Sequence, residues 1–320
     1  MGATRQITGH SQSVSSPSLR GRLVTRLVRM VIKRWPRNDL AAVVRRARWI
    51  FGSPGWFSFL HERGVEIQQA SGRGVAGEWV VPQELASKEK VLLYLHGGGY
   101  VSCSPRSHRA ITCALARLLG WRVFCPDYRL APEHPFPAAV DDAAAAFQWL
   151  VQQGIEARNI AVAGDSAGGG LVIAACLRLR GRGEKLPGCA VCFSPWVDLT
   201  GGFGYRNGES CAMFRTDDIG RFAGLYLGNA PANAPEASPL FGDLSGLPPL
   251  LIQASGSELL LDDALRLHER AQQCGVASNI RIYPGLPHVW QVFMGTIPEA
   301  RQALQEAAEF VRDRIRVSVA

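Results

Sequence analysis

From about residue 90 to the C-terminus, short apolar runs alternate with longer stretches of helical periodicity. This alternation restricts the fold more than any other feature of the chain. The runs are 90–95 (KVLLYL), 121–125 (WRVFC), 159–163 (NIAVA), 189–193 (CAVCF), 249–254 (PLLIQA) and 279–283 (NIRIY). Between and after them, 107–119, 138–153, 167–180, 262–274 and 299–316 carry helical patterning. A strand that is apolar nearly throughout is buried on both faces, and successive parallel strands need a crossover, which a helix supplies. The pattern therefore predicts a mostly parallel sheet flanked by helices, an α/β fold. Two earlier strand-like runs, 65–69 and 75–81, are joined through Gly72 and Gly74 and read as a pair, which brings the expected strand count to eight. With 320 residues, 47% of them hydrophobic, the chain can bury a sheet of this size as one unit.

Two regions break the alternation. Residues 200–240 are rich in Gly, Asn, Ala and Pro, with one short helical run at 218–227. An insertion of that length in a compact domain is more often a cover over a site than a plain connection. Residues 1–60 form the other region. The first nineteen are Ser-rich and expected to be mobile. Residues 20–34 read as an amphipathic helix, with Arg22, Arg26, Arg29 and Lys33 on one face and Leu23, Leu27 and Val31 on another. Pro36 ends or kinks it, and a second helix is expected from Asp39 to Ile50. The expected organisation is a helical cap built from 1–60 and from the 200–240 insertion, over a catalytic domain that spans 61–320.

Three motifs carry chemistry. Gly164-Asp165-Ser166-Ala167-Gly168 follows one expected strand and opens one expected helix. That context is what a nucleophile elbow needs: small neighbours let a strained turn form and expose the Ser166 hydroxyl, above a helix N-terminus that favours developing negative charge. His96-Gly97-Gly98-Gly99-Tyr100 follows the strand at 90–95. Its glycines let backbone N–H groups turn inward, as an oxyanion requires. It lacks the Gly-Lys-Ser/Thr of a phosphate-binding loop and the spacing of a dinucleotide fingerprint, and His96 reads as a residue that shapes the loop. Pro287-His288-Val289-Trp290 lies beyond the last strand, where His288 suits the role of base, since the base follows the acid in this chain order. The acid must lie at the end of the strand at 249–254. Glu258 is favoured over Asp262, which is expected to cap the following helix, although either carboxylate could accept an imidazole N–H. Tyr100, Asp165, Met213, Phe214 and Trp290 stand near the expected site or in its cover, and are expected to shape the substrate pocket.

Composition narrows the alternatives. The formal net charge of +8 is carried entirely by the first 50 residues, which hold eleven Lys and Arg against Asp39. Such a segment could meet anionic lipid or nucleic acid. No zinc-finger spacing and no RNA-binding aromatic pattern accompanies it, so a solvated helix face is the expectation and no nucleic-acid partner is assigned. Eight Cys in a chain of this length do not make a disulfide framework. Cys189 and Cys192 have metal-like spacing but sit in a strand pattern without a second pair, so no metal site is expected. Free thiols and the lack of a signal-peptide pattern point to the cytoplasm. No run of about 20 apolar residues is present to span a bilayer, and no stable membrane insertion is expected.

Taken together, the glycine loop at 96–100, the elbow at 164–168 and the stretch Asp127-Tyr128-Arg129-Leu130-Ala131-Pro132-Glu133-His134 with Pro135-Phe136-Pro137-Ala138-Ala139 resemble the bacterial hormone-sensitive-lipase-like esterases, a branch of the α/β-hydrolase superfamily, over roughly residues 20–316. The resemblance implies an α/β-hydrolase fold and a serine carboxylesterase that cleaves short- to medium-chain acyl esters without a cofactor. It implies that Gly98, Gly99 and Ala167 supply oxyanion N–H groups and that the cap comes from the N-terminal helices plus the insertion. It also implies a small-molecule ester as partner, and dimers are common in the family. Where the family usually carries the Asp of a D-P-L motif, this chain has Glu258-Leu259-Leu260; a subgroup uses Glu. Amide, acetyl-group or lactone hydrolysis on the same residues is the alternative. Plant gibberellin receptors resemble the family but lack its catalytic histidine, and His288 is retained here.

Overall fold

The computed structural model describes residues 11–13, 16–33, 39–52, 61–72, 74–202 and 205–315. Its centre is one sheet with the order β1-β9-β8-β7-β6-β4-β5-β3-β2. The strands are β1 (Ser11–Ser13), β2 (Val65–Gly72), β3 (Val75–Pro82), β4 (Ser87–Leu95), β5 (Trp121–Pro126), β6 (Ile160–Asp165), β7 (Cys189–Phe193), β8 (Leu250–Ser255) and β9 (Ser278–Tyr283). All eight expected strands are present. The ninth, β1, lies in a segment expected to be mobile and pairs parallel with β9, Ser11 opposite Ile280 and Ser13 opposite Ile282. Only β3 runs antiparallel to its two neighbours, β2 and β5; every other pairing is parallel.

The helices are α1 (Leu19–Val31), α2 (Leu40–Gly52), α3 (Arg109–Leu119), α4 (Ala138–Gln152), α5 (Ala167–Gly181), α6 (Thr216–Leu227), α7 (Leu261–Gln273) and α8 (Pro298–Arg314). The sheet is covered on both faces, and β4 shows how. Val91, Leu93 and Leu95 pack into one core cluster with residues of α4, α5 and α7. Leu92 and Tyr94, pointing the other way by the strand's two-residue period, pack into a second cluster with residues of α3 and α8. All five are at most 1% exposed, so truncating one, as in Leu93→Ala, costs about 2–5 kcal/mol.

One expectation about the flanking segments changes. Asp262 does not cap α7. It pairs instead with Arg206, Oδ1 to Nε at 2.5 Å, because that guanidinium is brought alongside by the 200–240 segment. The cap residue of α7 is Leu260, with no side-chain cap bond. In α1, Val28 and Gly21 are the buried residues, while Leu23, Leu27 and Val31 of the apolar stripe are exposed. Of the expected N-terminal cap segment, 1–10, 14–15, Pro36 with the rest of 34–38, and 53–60 lie outside the described residues.

Candidate active site

In a parallel sheet, loops that leave the carboxyl ends of neighbouring strands converge on one side, and ligand sites collect there. The motif residues of this chain do so. Ser166 directly follows β6, the glycine loop follows β4, Glu258 lies three residues past β8, and His288 lies five past β9.

The turn at Ser166 is strained by its surroundings. Its backbone stands at φ 54°, ψ −121°, a conformation that non-glycine residues adopt only when held. Ser166 N–H donates to Phe193 O at 2.8 Å, and Ser166 O accepts from Trp196 N at 2.9 Å, which holds it. The two flanking glycines are required by close approach. A Cβ on Gly164 would lie 2.4 Å from Gly168 O, and one on Gly168 would lie 2.1 Å from Leu95 O. Ala167 is the first residue of α5, so its N–H has no partner within the helix.

Ser166 Oγ lies 2.9 Å from His288 Nε2. On the other side of the ring, Nδ1 hydrogen-bonds Glu258 Oε2. Glu258 is fixed in turn, because its Oε1 accepts from Ser255 N at 2.7 Å, and Asn207 Nδ2 donates to its backbone carbonyl at 3.1 Å. Glu258 and His288 are 1% and 3% exposed, and Ser166 is 8% exposed, so the chain of bonds runs from the interior to the floor of a cavity. This arrangement leaves Nε2 able to accept a proton from the hydroxyl, while the carboxylate holds the opposite N–H.

The glycine loop is anchored from beneath by Asp165. Its carboxylate accepts from Gly97 N at 3.0 Å and from Tyr94 Oη at 2.7 Å, and faces His108 Nε2 at 3.3 Å. Burial opposes the charge on Asp165, but the facing His108 outweighs it and holds the carboxyl below its ordinary value. Burial likewise opposes the charge on His108, and Asp165 reverses that and raises it. A Cβ on Gly97 would fall 2.1 Å from Asp165 Oδ2. Gly98 stands at φ 116°, in the region open to glycine, and a Cβ there would lie 2.2 Å from Ser102 O. His96 shapes the loop as expected: its ring stacks on Tyr128 at 4.2 Å, Nδ1 donates to Gly97 O at 2.8 Å, and burial lowers it to about 3, so it stays neutral.

Above these groups lies a cavity of about 530 Å³ lined mainly by apolar side chains. Ser166, His288, Asp165, Gly98, Gly99, Met213 and Phe214 border it. Phe214 meets the His288 ring edge-on at 5.2 Å. Two expected pocket residues do not border it. Tyr100 turns into the core and stacks on Tyr226 at 3.7 Å, and Trp290 packs on Tyr283 at 4.8 Å with its N–H toward Glu299 O. Both are at most 1% exposed, since each follows a loop residue whose backbone sends the next side chain inward. The wall they were expected to form comes instead from Leu27, Val28 and Val31 of α1, Ile219 and Phe222 of α6, and Val292 and Phe293. No local motif marks these residues, because they reach the site through the folding of distant segments. His108 was also passed over; its position three residues after Pro105 carries no chemical signature.

The chain is similar to known proteins along most of its length. The family model described as alpha/beta hydrolase fold matches residues 92–292. An acetyl-hydrolase of Streptomyces hygroscopicus is 43% identical over 237 residues, 73% of this chain and 79% of that protein. An esterase of Acinetobacter venetianus is 37% identical over 254 residues, 77% of this chain and 82% of that protein. Among solved structures, an esterase from the bacterial hormone-sensitive lipase family superposes with a TM-score of 0.85 at 39% identity, covering 94% of this chain and 100% of that one.

Proposed function

This chain belongs to the α/β-hydrolase fold family and, within it, to the bacterial hormone-sensitive-lipase-like esterases, and on that premise we propose that it hydrolyses short- to medium-chain carboxylic esters through Ser166, His288 and Glu258. The observation that carries the reading is the continuous hydrogen-bonded path from Ser166 Oγ through both ring nitrogens of His288 to Glu258.

Ser166 Oγ attacks the ester carbonyl carbon while His288 Nε2 takes its proton. The carbonyl π electrons move onto oxygen, and the resulting oxyanion is held by N–H groups of Gly98, Gly99 and Ala167. The intermediate collapses, the C–O bond to the alcohol breaks, and His288 protonates the departing alcohol. The acyl group then sits on Ser166 Oγ. Water adds to it by the same route, giving its proton to His288, and the acid leaves as the proton returns to Ser166. Glu258 stays ionised throughout and stabilises the imidazolium. Asp165, which also borders the cavity, keeps the glycine loop in place.

The helices α1 and α2 and the 200–240 segment act as the cap, and those of their apolar side chains that line the cavity, such as Val28, Phe214 and Phe222, receive the acyl chain. The names of the Streptomyces and Acinetobacter relatives support ester and acetyl-ester substrates. All eight thiols are unpaired, which fits a reducing compartment such as the cytoplasm. The test is a kcat/KM series over p-nitrophenyl esters from acetate to palmitate, together with fluorophosphonate labelling. Activity peaks between the two-carbon and eight-carbon esters, and the label appears on Ser166. A maximum at palmitate, or a Ser166→Ala variant that keeps more than about a tenth of kcat, overturns the reading.

A further inference from the structure

The outward face of α1 is apolar, and the packing on its opposite side fixes it there. Val28 is buried, and the Cα of Gly21 lies against Leu286, where an added Cβ would meet that side chain at 3.0 Å. Ser18, which caps the helix, hydrogen-bonds Glu299 at 3.1 Å. At the other end Lys33 Nζ donates to Glu209 O at 2.7 Å and Cys211 O at 2.9 Å. With those anchors, Leu19, Leu23 and Met30 point away from the body and are 81%, 68% and 56% exposed, while Leu27 and Val31, 55% and 50% exposed, lie where the stripe meets the cavity. Scattered exposed leucines need no account, but five on one face of a single helix form a patch. On α2, Trp49 is 73% exposed, two residues from the cavity-lining Ala47.

Two further observations say what meets this face. The first is charge. Arg20, Arg22, Arg26 and Arg29 are exposed on the same helix, which contains no acid, and the first 50 residues carry the whole of the chain's positive excess. At 100° per residue, Arg22, Arg26 and Arg29 flank one edge of the apolar stripe, and Arg20 falls within it between Leu27 and Val31. The second is continuity. Leu27 and Val31 are half exposed and at the same time line the cavity above Ser166, so the stripe runs from the surface into the mouth of the site. An apolar stripe edged by arginines on a helix too short to span a bilayer is the pattern of a helix that lies in a membrane interface.

We infer that α1 is a docking surface for an anionic lipid bilayer, which it enters to the depth of one helix face, presenting the cavity mouth to the lipid. The Arg20, Arg22 and Arg26 guanidinium groups meet the lipid phosphates while Leu19, Leu23 and Met30 enter the acyl boundary, and Arg29 is held by the carbonyls of Glu209 and Ser210. No described helix is long and apolar enough to cross a membrane, so the attachment is peripheral and reversible by salt. An acyl ester dissolved in the bilayer then reaches Ser166 without crossing water. Binding needs no turnover, so its failure and the failure of the hydrolytic reading are separate results.

The experiment is co-sedimentation of the full chain with vesicles of equal parts phosphatidylcholine and phosphatidylglycerol, against vesicles of phosphatidylcholine alone, at low and high salt. The wild-type chain binds the anionic vesicles, more weakly the neutral ones, and releases as salt rises. The variant Leu19→Gln/Leu23→Gln/Met30→Gln loses about tenfold or more of that binding. The variant Arg20→Gln/Arg26→Gln loses about fivefold per charge at low salt and serves alone if the triple variant does not fold. None of these five residues borders the cavity, so hydrolysis of p-nitrophenyl acetate without vesicles is unchanged and reports folding. A wild-type chain that stays in the supernatant with anionic vesicles overturns the inference, as do variants that bind like wild type. A concentration-dependent dimer that the triple variant dissociates, without any vesicle binding, assigns the face to a second copy and also overturns it.

Discussion

Replacing Glu258 with Gln turns one of its two carboxylate oxygens into an NH₂ group, and the structure says which one. Oε1 of Glu258 must accept from Ser255 N, at 2.7 Å. In Glu258→Gln the amide therefore keeps its carbonyl oxygen toward Ser255 and turns its NH₂ toward His288 Nδ1. Two donors cannot face each other, so the imidazole proton moves to Nε2 and Nδ1 becomes the acceptor. Nε2–H now faces Ser166 Oγ across the 2.9 Å contact and has no lone pair to take the serine proton. The variant thus keeps its fold and its cavity and loses its base. The same tautomer fault in another serine hydrolase triad lowers kcat by about 10⁴, equivalent to about 5 kcal/mol of transition-state stabilisation. The same order is expected here, with KM for a p-nitrophenyl ester little changed. Asp262→Asn is the control: Asp262 bonds Arg206 rather than His288, and its loss leaves kcat within a few-fold of wild type. Steady-state kinetics with both variants, alongside circular dichroism, decides the matter. A Glu258→Gln enzyme with more than about a tenth of wild-type kcat refutes the tautomer argument, and a larger loss for Asp262→Asn than for Glu258→Gln assigns the acid to the wrong residue.

Gly168→Ala drives a Cβ to 2.1 Å from Leu95 O and 2.5 Å from His96 O; backbone cannot yield as a side-chain tip does, so this variant loses at least about 2 kcal/mol of unfolding free energy and most of its kcat, whereas a soluble variant of wild-type stability and activity contradicts the close-approach account of the elbow. Burial pushes the Asp263 carboxyl up to about 7 even though it accepts from Val197 N at 2.8 Å and Asp198 N at 2.9 Å. Between the ordinary carboxyl range and that value the folded chain holds a proton that the unfolded chain has released, so this group's contribution is full in acid and is lost as pH rises toward 7. Asp263→Asn retains an acceptor for both N–H groups and removes the titration, so urea unfolding at pH 5 and at pH 7.5 shows the variant gaining on wild type at the higher pH; a gain at the lower pH instead reverses the sign and rejects the reasoning.

The sheet and the elbow were legible in the sequence because each is encoded within a few neighbouring residues. A run such as Val91-Leu92-Leu93-Tyr94-Leu95 has no stable place except between two covered faces, and Gly164 and Gly168 are dictated by distances to atoms of their own turn and of the adjacent strand. Strand β1 was not legible for the opposite reason. Ser11-Gln12-Ser13 carries no apolar alternation, and its place beside β9 rests on main-chain pairing that any residues can supply. Tyr100 and Trp290 show a different failure. Standing next to Gly99 and close to His288 in sequence, they were placed in the pocket by adjacency. Yet Tyr100 takes φ 63° and Val289 takes φ 51°, and such left-handed residues redirect the chain, so a neighbour in sequence becomes a residue of the opposite layer.

The amphipathic pattern of α1 was legible as a pattern, but its direction was not. Periodicity records that apolar and basic side chains lie on different faces of a helix; it does not record which face meets the protein. That choice is made by small, non-periodic features: Gly21, which allows approach to Leu286, and Ser18, which ties the first turn to Glu299, some 280 residues away. A helix whose leucines were needed for the core would expose its arginines alone and would add little beyond solubility. This helix leaves five large apolar side chains in water, each at a cost of up to about 1.5–3 kcal/mol relative to burial. The side chains at the inner end of the same stripe form the wall of the cavity above Ser166. The exposed stripe and the substrate cavity are therefore one apolar surface, and whatever covers the first controls entry to the second.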